Sequence, residues 1–139
     1  VCHFCQSCLP TEDLAHADSL ISAVKPPTAN CSYMLLYNVT ITIDLGVHED
    51  WLRWMRDTHI PDVMSTGQFV SYRLNKMLGH EHTDSEIYTV QYLVKDMAHL
   101  MRYQEEFAPA LQQQHRERYD GKDAVFRTVM EVVDHNEKM

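Results

Sequence analysis

Apolar and polar residues alternate through residues 35–43, with Tyr37, Val39, Ile41 and Ile43 on one side and Asn38, Thr40 and Thr42 on the other. A period of two predicts a strand with one apolar face. After Asp44-Leu45-Gly46 the period lengthens. Val47, Trp51, Trp54, Met55 and Thr58 recur at three and four residues, the stripe of a helix that packs on a sheet. Glu49 and Asp50 occupy its first turn, where the helix dipole favours negative charge. Pro61 is expected to kink or interrupt this helix after Ile60, leaving a short segment at residues 62–65 that stops at Gly67.

A second strand is predicted over residues 68–78, with Val70, Tyr72, Leu74 and Leu78 opposite Phe69, Ser71, Arg73 and Met77. The polar stretch at residues 79–85, with His80, Glu81, His82 and Asp84, reads as a hairpin turn. The third strand, residues 86–94, sets Tyr88, Val90, Tyr92 and Val94 against Ile87, Thr89, Gln91 and Leu93. Asp96 is placed to cap a long helix whose stripe is Leu100, Tyr103, Phe107 and Leu111, bent but not ended by Pro109. After Asp120-Gly121-Lys122 a last strand is predicted over residues 124–133. The order is βαββαβ, an α+β two-layer sandwich of the ferredoxin-like kind with a four-stranded antiparallel sheet.

Two helices cover only one face of such a sheet. The other is predicted to carry Leu36, Phe69, Met77, Ile87 and Leu93 beside Thr40, Thr42, Thr89, Arg73 and Gln91. That is too apolar for an ordinary wet surface, and a homodimer joined through its sheet faces is the simplest cover.

Composition separates a tail from this body. Residues 1–33 hold Pro10, Pro26, Pro27 and scattered small polar residues, with one short helical pattern near residues 13–24. They are expected to be a poorly ordered N-terminal extension, followed by the domain at residues 34–134 and a C-terminal tail at 135–139. All four cysteines, Cys2, Cys5, Cys8 and Cys31, lie in that extension. A disulfide-stabilised secreted domain would spread them through its core, and no basic-then-apolar leader opens the chain, so a cytoplasmic location is expected. Two C-x2-C steps resemble part of an iron–sulfur or zinc ligand run, with His3 as another donor, but Leu9 stands where a fourth cysteine would precede Pro10. A fortuitous tail is the preferred reading, with the four cysteines as weak metal candidates. The chain has 139 residues and a net charge of −8, which argues against a nucleic-acid partner, and no apolar run is long enough for a membrane span.

Phosphate loops, dinucleotide fingerprints and serine elbows are absent, and no cofactor is expected. His59, beside the helix-breaking Pro61, is the best candidate for a base or a ligand contact. Trp51 and Trp54 are read as packing residues, and His115, Arg116, Glu117 and Arg118 as a solvated helix end.

Residues 34–133 resemble the bacterial family catalogued as domain of unknown function 4286. The resemblance is carried by Leu36-Tyr37-Asn38-Val39-Thr40, Trp51-Leu52-Arg53-Trp54-Met55, His59-Ile60-Pro61, Thr66-Gly67, the residues Tyr88, Val90, Gln91 and Tyr92, and Phe126-Arg127-Thr128. Its most specific piece is Tyr103-Gln104-Glu105-Glu106-Phe107-Ala108-Pro109-Ala110-Leu111. The resemblance implies kinship with the dimeric α+β barrel superfamily, whose members include cofactor-independent monooxygenases, isomerases and simple ligand binders. It transfers no activity. In that fold ligands lie between helices and sheet, which implies a site drawn from His59, Tyr72, Arg73, Gln91, Tyr103 and Arg127. The leading expectation is a small-ligand-binding or structural dimer. The alternatives are a cofactor-independent monooxygenase or isomerase acting on a small aromatic or acidic compound, and a protein-interaction module.

Overall fold

The computed structural model describes residues 34–79 and 83–136. The cysteines and the short helical pattern of the N-terminal extension fall outside them, as do His80 and His82 of the hairpin turn. The chain forms β1 (Leu35–Asp44), α1 (His48–Trp54), a π-helical turn (Met55–His59), α2 (Ile60–Ser65), β2 (Phe69–Lys76), β3 (Ser85–Val94), α3 (Met97–Arg102), a second π-helical turn (Tyr103–Phe107), α4 (Ala108–Tyr119) and β4 (Asp123–Glu131). The strands lie in the order β2-β3-β1-β4, each neighbour antiparallel. This is the ferredoxin-like arrangement, with both helical runs on one face.

Alternation in β1 and β3 is realised as written: Tyr37, Ile41, Ile43, Tyr88, Val90, Tyr92 and Val94 are buried against the helices. The β2 alternation is not. A bulge between Phe69 and Ser71 pairs Phe69 with Val94 and Ser71 with Leu93, so one extra residue, Val70, separates two opposite sides of the strand. Phe69 therefore points into the core, stacked against Tyr37 and packed on Tyr92 and Tyr103, and not onto the outer face where strict alternation put it. The outer face carries Leu36, Asn38, Ile87, Leu93, Phe126 and Met130, and Phe126 is 66% exposed.

Both helical runs pass through their prolines without ending. Proline has no N–H and its ring crowds the carbonyl four residues back, so a straight α-helix is penalised there. Each run widens by one residue just upstream. The Ile60 N–H reaches back five residues to the Met55 carbonyl, and the Ala108 N–H reaches the Tyr103 carbonyl. Pro61 and Pro109 each follow immediately. The expected break at Ile60 is thus a π turn inside a continuous helix. Its effect on side chains is a step of five: the buried face reads Trp51, Met55, Ile60, Val63 in the first run and Leu100, Tyr103, Ala108, His115, Tyr119 in the second. Asp96 caps the second run, accepting from the His99 N–H at 3.0 Å.

Candidate functional site

The two π turns deliver His59 and Tyr103 to the same space between helices and sheet. There a cavity of about 40 Å³ opens, counted as room for the centre of a water. It holds on the order of three waters. Its floor is Val39, Ile41, Val90 and Val125 from three strands, with Met55 and Val63 from the first helical run. Tyr37, Tyr92 and Tyr103 form an aromatic wall, and the polar lining is His59, Gln112, His115 and Arg127. π-Helical turns are rare and recur where a helix must present an irregular face to a site.

His115 anchors this lining from behind. Its Nε2 accepts the indole N–H of Trp51 at 2.9 Å, and its Nδ1 faces the Asp123 carboxylate at 3.3 Å. An indole nitrogen only donates, so Nε2 is unprotonated and Nδ1 carries the proton. Burial holds the His115 pKa below its ordinary value, against the pull of Asp123 and together with Arg127 and Arg116. Only 8% of His115 is exposed, which corrects its assignment to a solvated helix end. The extra residue in the preceding π turn rotates it inward.

His59 is different because it is not satisfied. Its ring stacks on Trp54 with centroids 4.8 Å apart and lies 5.8 Å from the His115 ring. Its Nδ1 is buried and has no hydrogen-bond partner. Burial, then the neighbouring His115 and Arg127, lower its pKa to about 4, so it is neutral at pH 7. Among the described residues Arg127, on β4 opposite Val39, is the only charged one lining the cavity. It bonds to the Tyr37 hydroxyl, and burial nonetheless raises the pKa of that phenol. Tyr92 and Tyr103 are likewise pushed up, mainly by burial, with Tyr103 and Tyr37 adding to the rise at Tyr92 and Tyr37 to that at Tyr103. The phenols therefore act as neutral hydrogen-bonding groups.

Of the six residues the sequence nominated, the structure gathers His59, Tyr103 and Arg127 around this cavity. Tyr72 lies at the sheet edge on the same side, 46% exposed with its ring 6.4 Å from that of Tyr92, and does not line the cavity. Arg73 and Gln91 pair with each other across β2 and β3 on the outer face. The sheet separates them from His59, which corrects their placement within reach of it. Tyr37, Gln112 and His115 belong to the lining and were not nominated. Tyr37 was legible as an inward residue of β1, whereas Gln112 and His115 require the π-turn shift. No group of side chains able to hold a metal ion occurs among the described residues.

The profile described as Domain of unknown function (DUF4286) matches residues 34–133. No curated protein matches the chain. Among solved structures, SnoaB, a cofactor-independent oxygenase from Streptomyces nogalater studied as a variant, superposes with a TM-score of 0.55 at 11% identity, covering 76% of this chain and 98% of its own. An ethyl tert-butyl ether d (ethd) family protein from Bacillus halodurans c-125 gives 0.54 at 8% identity, over 76% and 99%. A dimeric ferredoxin-like protein from an uncultured marine organism gives 0.50 at 13%, over 75% and 99%. These identities show the fold alone, that of ferredoxin-like dimeric α+β barrel proteins.

Proposed function

The chain belongs to the DUF4286 family, and we propose that it is a small-molecule-binding protein whose site is the cavity between His59 and Arg127. One observation carries this reading: the buried, unpartnered Nδ1 of His59. Leaving such a nitrogen without a hydrogen bond costs roughly 1–3 kcal/mol. A ligand group that pairs with this nitrogen removes that cost, and the adjacent guanidinium and phenols orient the rest of the molecule. A small acidic or phenolic compound meets both demands.

A cofactor-independent oxygenase or isomerase would ask more of His59. It would have to take a proton from its substrate, and an imidazole with a pKa of about 4 is a weak base. Against an ordinary phenol near 10 the transfer is uphill by about 8 kcal/mol. Hydrogen-bond acceptance carries no such penalty, so binding is the better reading. The test is a titration of the full chain, isotopically labelled in histidine and arginine, with a panel of small phenols and carboxylic acids. Perturbation of the His59 and Arg127 signals, lost in His59→Gln, is the expected result. A panel that moves neither residue overturns it, and product accumulating in air would shift the reading to catalysis.

The proposed assembly is a homodimer through the outer sheet faces. Supporting it, that face exposes Phe126 and Met130, while Asn38 Oδ1 within it is buried without a partner that a second chain's donor would supply. A fold relative is itself described as dimeric. Among the described residues the exposed large apolar side chains lie almost all on strands and loops, with Met101 alone on a helix, which gives a helix-face interaction module little to work with. Among the described residues no helix is long and apolar enough to cross a membrane. A cytoplasmic location fits the absence of cysteine from residues 34–136, and a net charge of −8 fits a protein without a nucleic-acid partner.

A further inference from the structure

Building on that binding site, we infer that its ligand is a small carboxylate taken up together with a proton, the carboxylate lying between His59 and Arg127. The inference rests on the cavity being a ligand site and names what the ligand must be. Arg127 offers a planar fork of donors, the geometry that carboxylates match best. Among the described residues no carboxylate lines the cavity and no ion pair involves Arg127. Asp123 is turned to His115 Nδ1.

The proton has one place to go. Both nitrogens of His115 are engaged, Nε2 by Trp51 and Nδ1 by Asp123. The sheet side offers only the phenols of Tyr37 and Tyr92 and the guanidinium of Arg127, and the second helical run adds the Tyr103 phenol and Gln112. Trp54, on the first run, covers the face of His59 with its ring. Among the described lining residues His59 is therefore the imidazole left to take up a proton, and its Nδ1 has no partner. Burial, then the neighbouring His115 and Arg127, keep His59 neutral. A carboxylate about 4 Å away reverses that balance, favouring the imidazolium by a factor on the order of 10³ in a partly buried site.

Isothermal titration calorimetry of the full chain with benzoate, compared with benzamide, in two buffers of different ionisation enthalpy, tests this directly. Benzoate should take up about half a proton per site at pH 7 and close to one at pH 6, as a thousandfold rise in imidazole basicity requires. Benzamide should take up none. Arg127→Gln, a change at an exposed position, should weaken benzoate at least tenfold while benzamide changes little. His59→Gln should abolish the proton uptake. Benzoate binding with no exchanged proton, and unaffected by His59→Gln, overturns the inference and leaves the binding site standing. If neither compound binds, and no small acid or phenol moves the His59 signal, the site itself fails and the inference with it.

Discussion

The indole N–H of Trp51 and the Nε2 of His115 meet at 2.9 Å across the interior, joining the two helical runs through side chains 64 positions apart. Neither residue contacts water to any extent: Trp51 is fully buried and His115 nearly so. The bond settles which imidazole nitrogen is protonated, and so directs the other toward Asp123.

Trp51→Phe keeps most of the packing and removes the donor. His115 Nε2 is then buried without a partner, and unfolding free energy should fall by about 1–3 kcal/mol. Trp51→Ala should cost more, about 3–5 kcal/mol, because a cavity is added. Urea unfolding of both variants beside the parent measures the difference. A Trp51→Phe variant as stable as the parent would mean that the hydrogen bond contributes nothing beyond packing.

Acid should destabilise the fold earlier than its carboxylates alone would dictate. The His59 pKa is about 4 in the folded chain and near 6.5 in the unfolded one, so the unfolded state binds more protons between those values. Stability from this group is complete above pH 6.5 and declines as pH falls toward 4. Between pH 7.5 and pH 5 the loss from His59 alone is about 2 kcal/mol. His115, shifted the same way, adds to it. In His59→Gln the slope of stability against pH over this window should flatten, which chemical denaturation at four or five pH values will show.

Asp123→Asn tests the far end of the relay. Asparagine keeps the shape of the side chain facing His115 Nδ1, but the charge that raises the His115 pKa disappears. The His115 imidazole should titrate at still lower pH than in the parent chain. Proton-detected NMR of the histidine ring resonances gives the answer, and an upward shift would refute the assigned geometry.

For assembly, Phe126→Glu places a charge on the outer sheet face at a position 66% exposed in one chain. It should leave the fold intact and convert the proposed dimer to a monomer, read by sedimentation velocity with far-ultraviolet circular dichroism as the check on folding. A parent chain that already sediments as a monomer would remove the sheet-to-sheet proposal.

The strands were legible because β1 and β3 obey the period of two along their whole length, and the fold followed from their order with the helices. The site was half legible. His59 announced itself through Pro61, and Tyr103 through its apolar stripe. What escaped the sequence came from single extra residues. Val70, in the β2 bulge, moved Phe69 to the core. The π turn at Tyr103–Phe107 moved the buried face from Phe107 to Ala108 and on to His115. Arg73 and Gln91 were misplaced for another reason: a list of polar residues near a fold's customary cleft says nothing about which side of the sheet each one occupies.

The two π turns have a consequence for how this chain tolerates change. Each helical run is one residue longer than its reach demands, and that surplus is stored one turn ahead of a proline. Rewinding Met55–His59 as ordinary α-helix with every residue kept would swing everything beyond it by about 100°. Ile60 and Val63 would leave the core with no change in their identity. The same rewinding of Tyr103–Phe107 would carry His115 out to solvent and leave the Trp51 indole without its acceptor. Deleting one residue from either segment instead restores the α-helical period with the same face inward, so a natural relative one residue shorter there should keep this core on an ordinary α-helix.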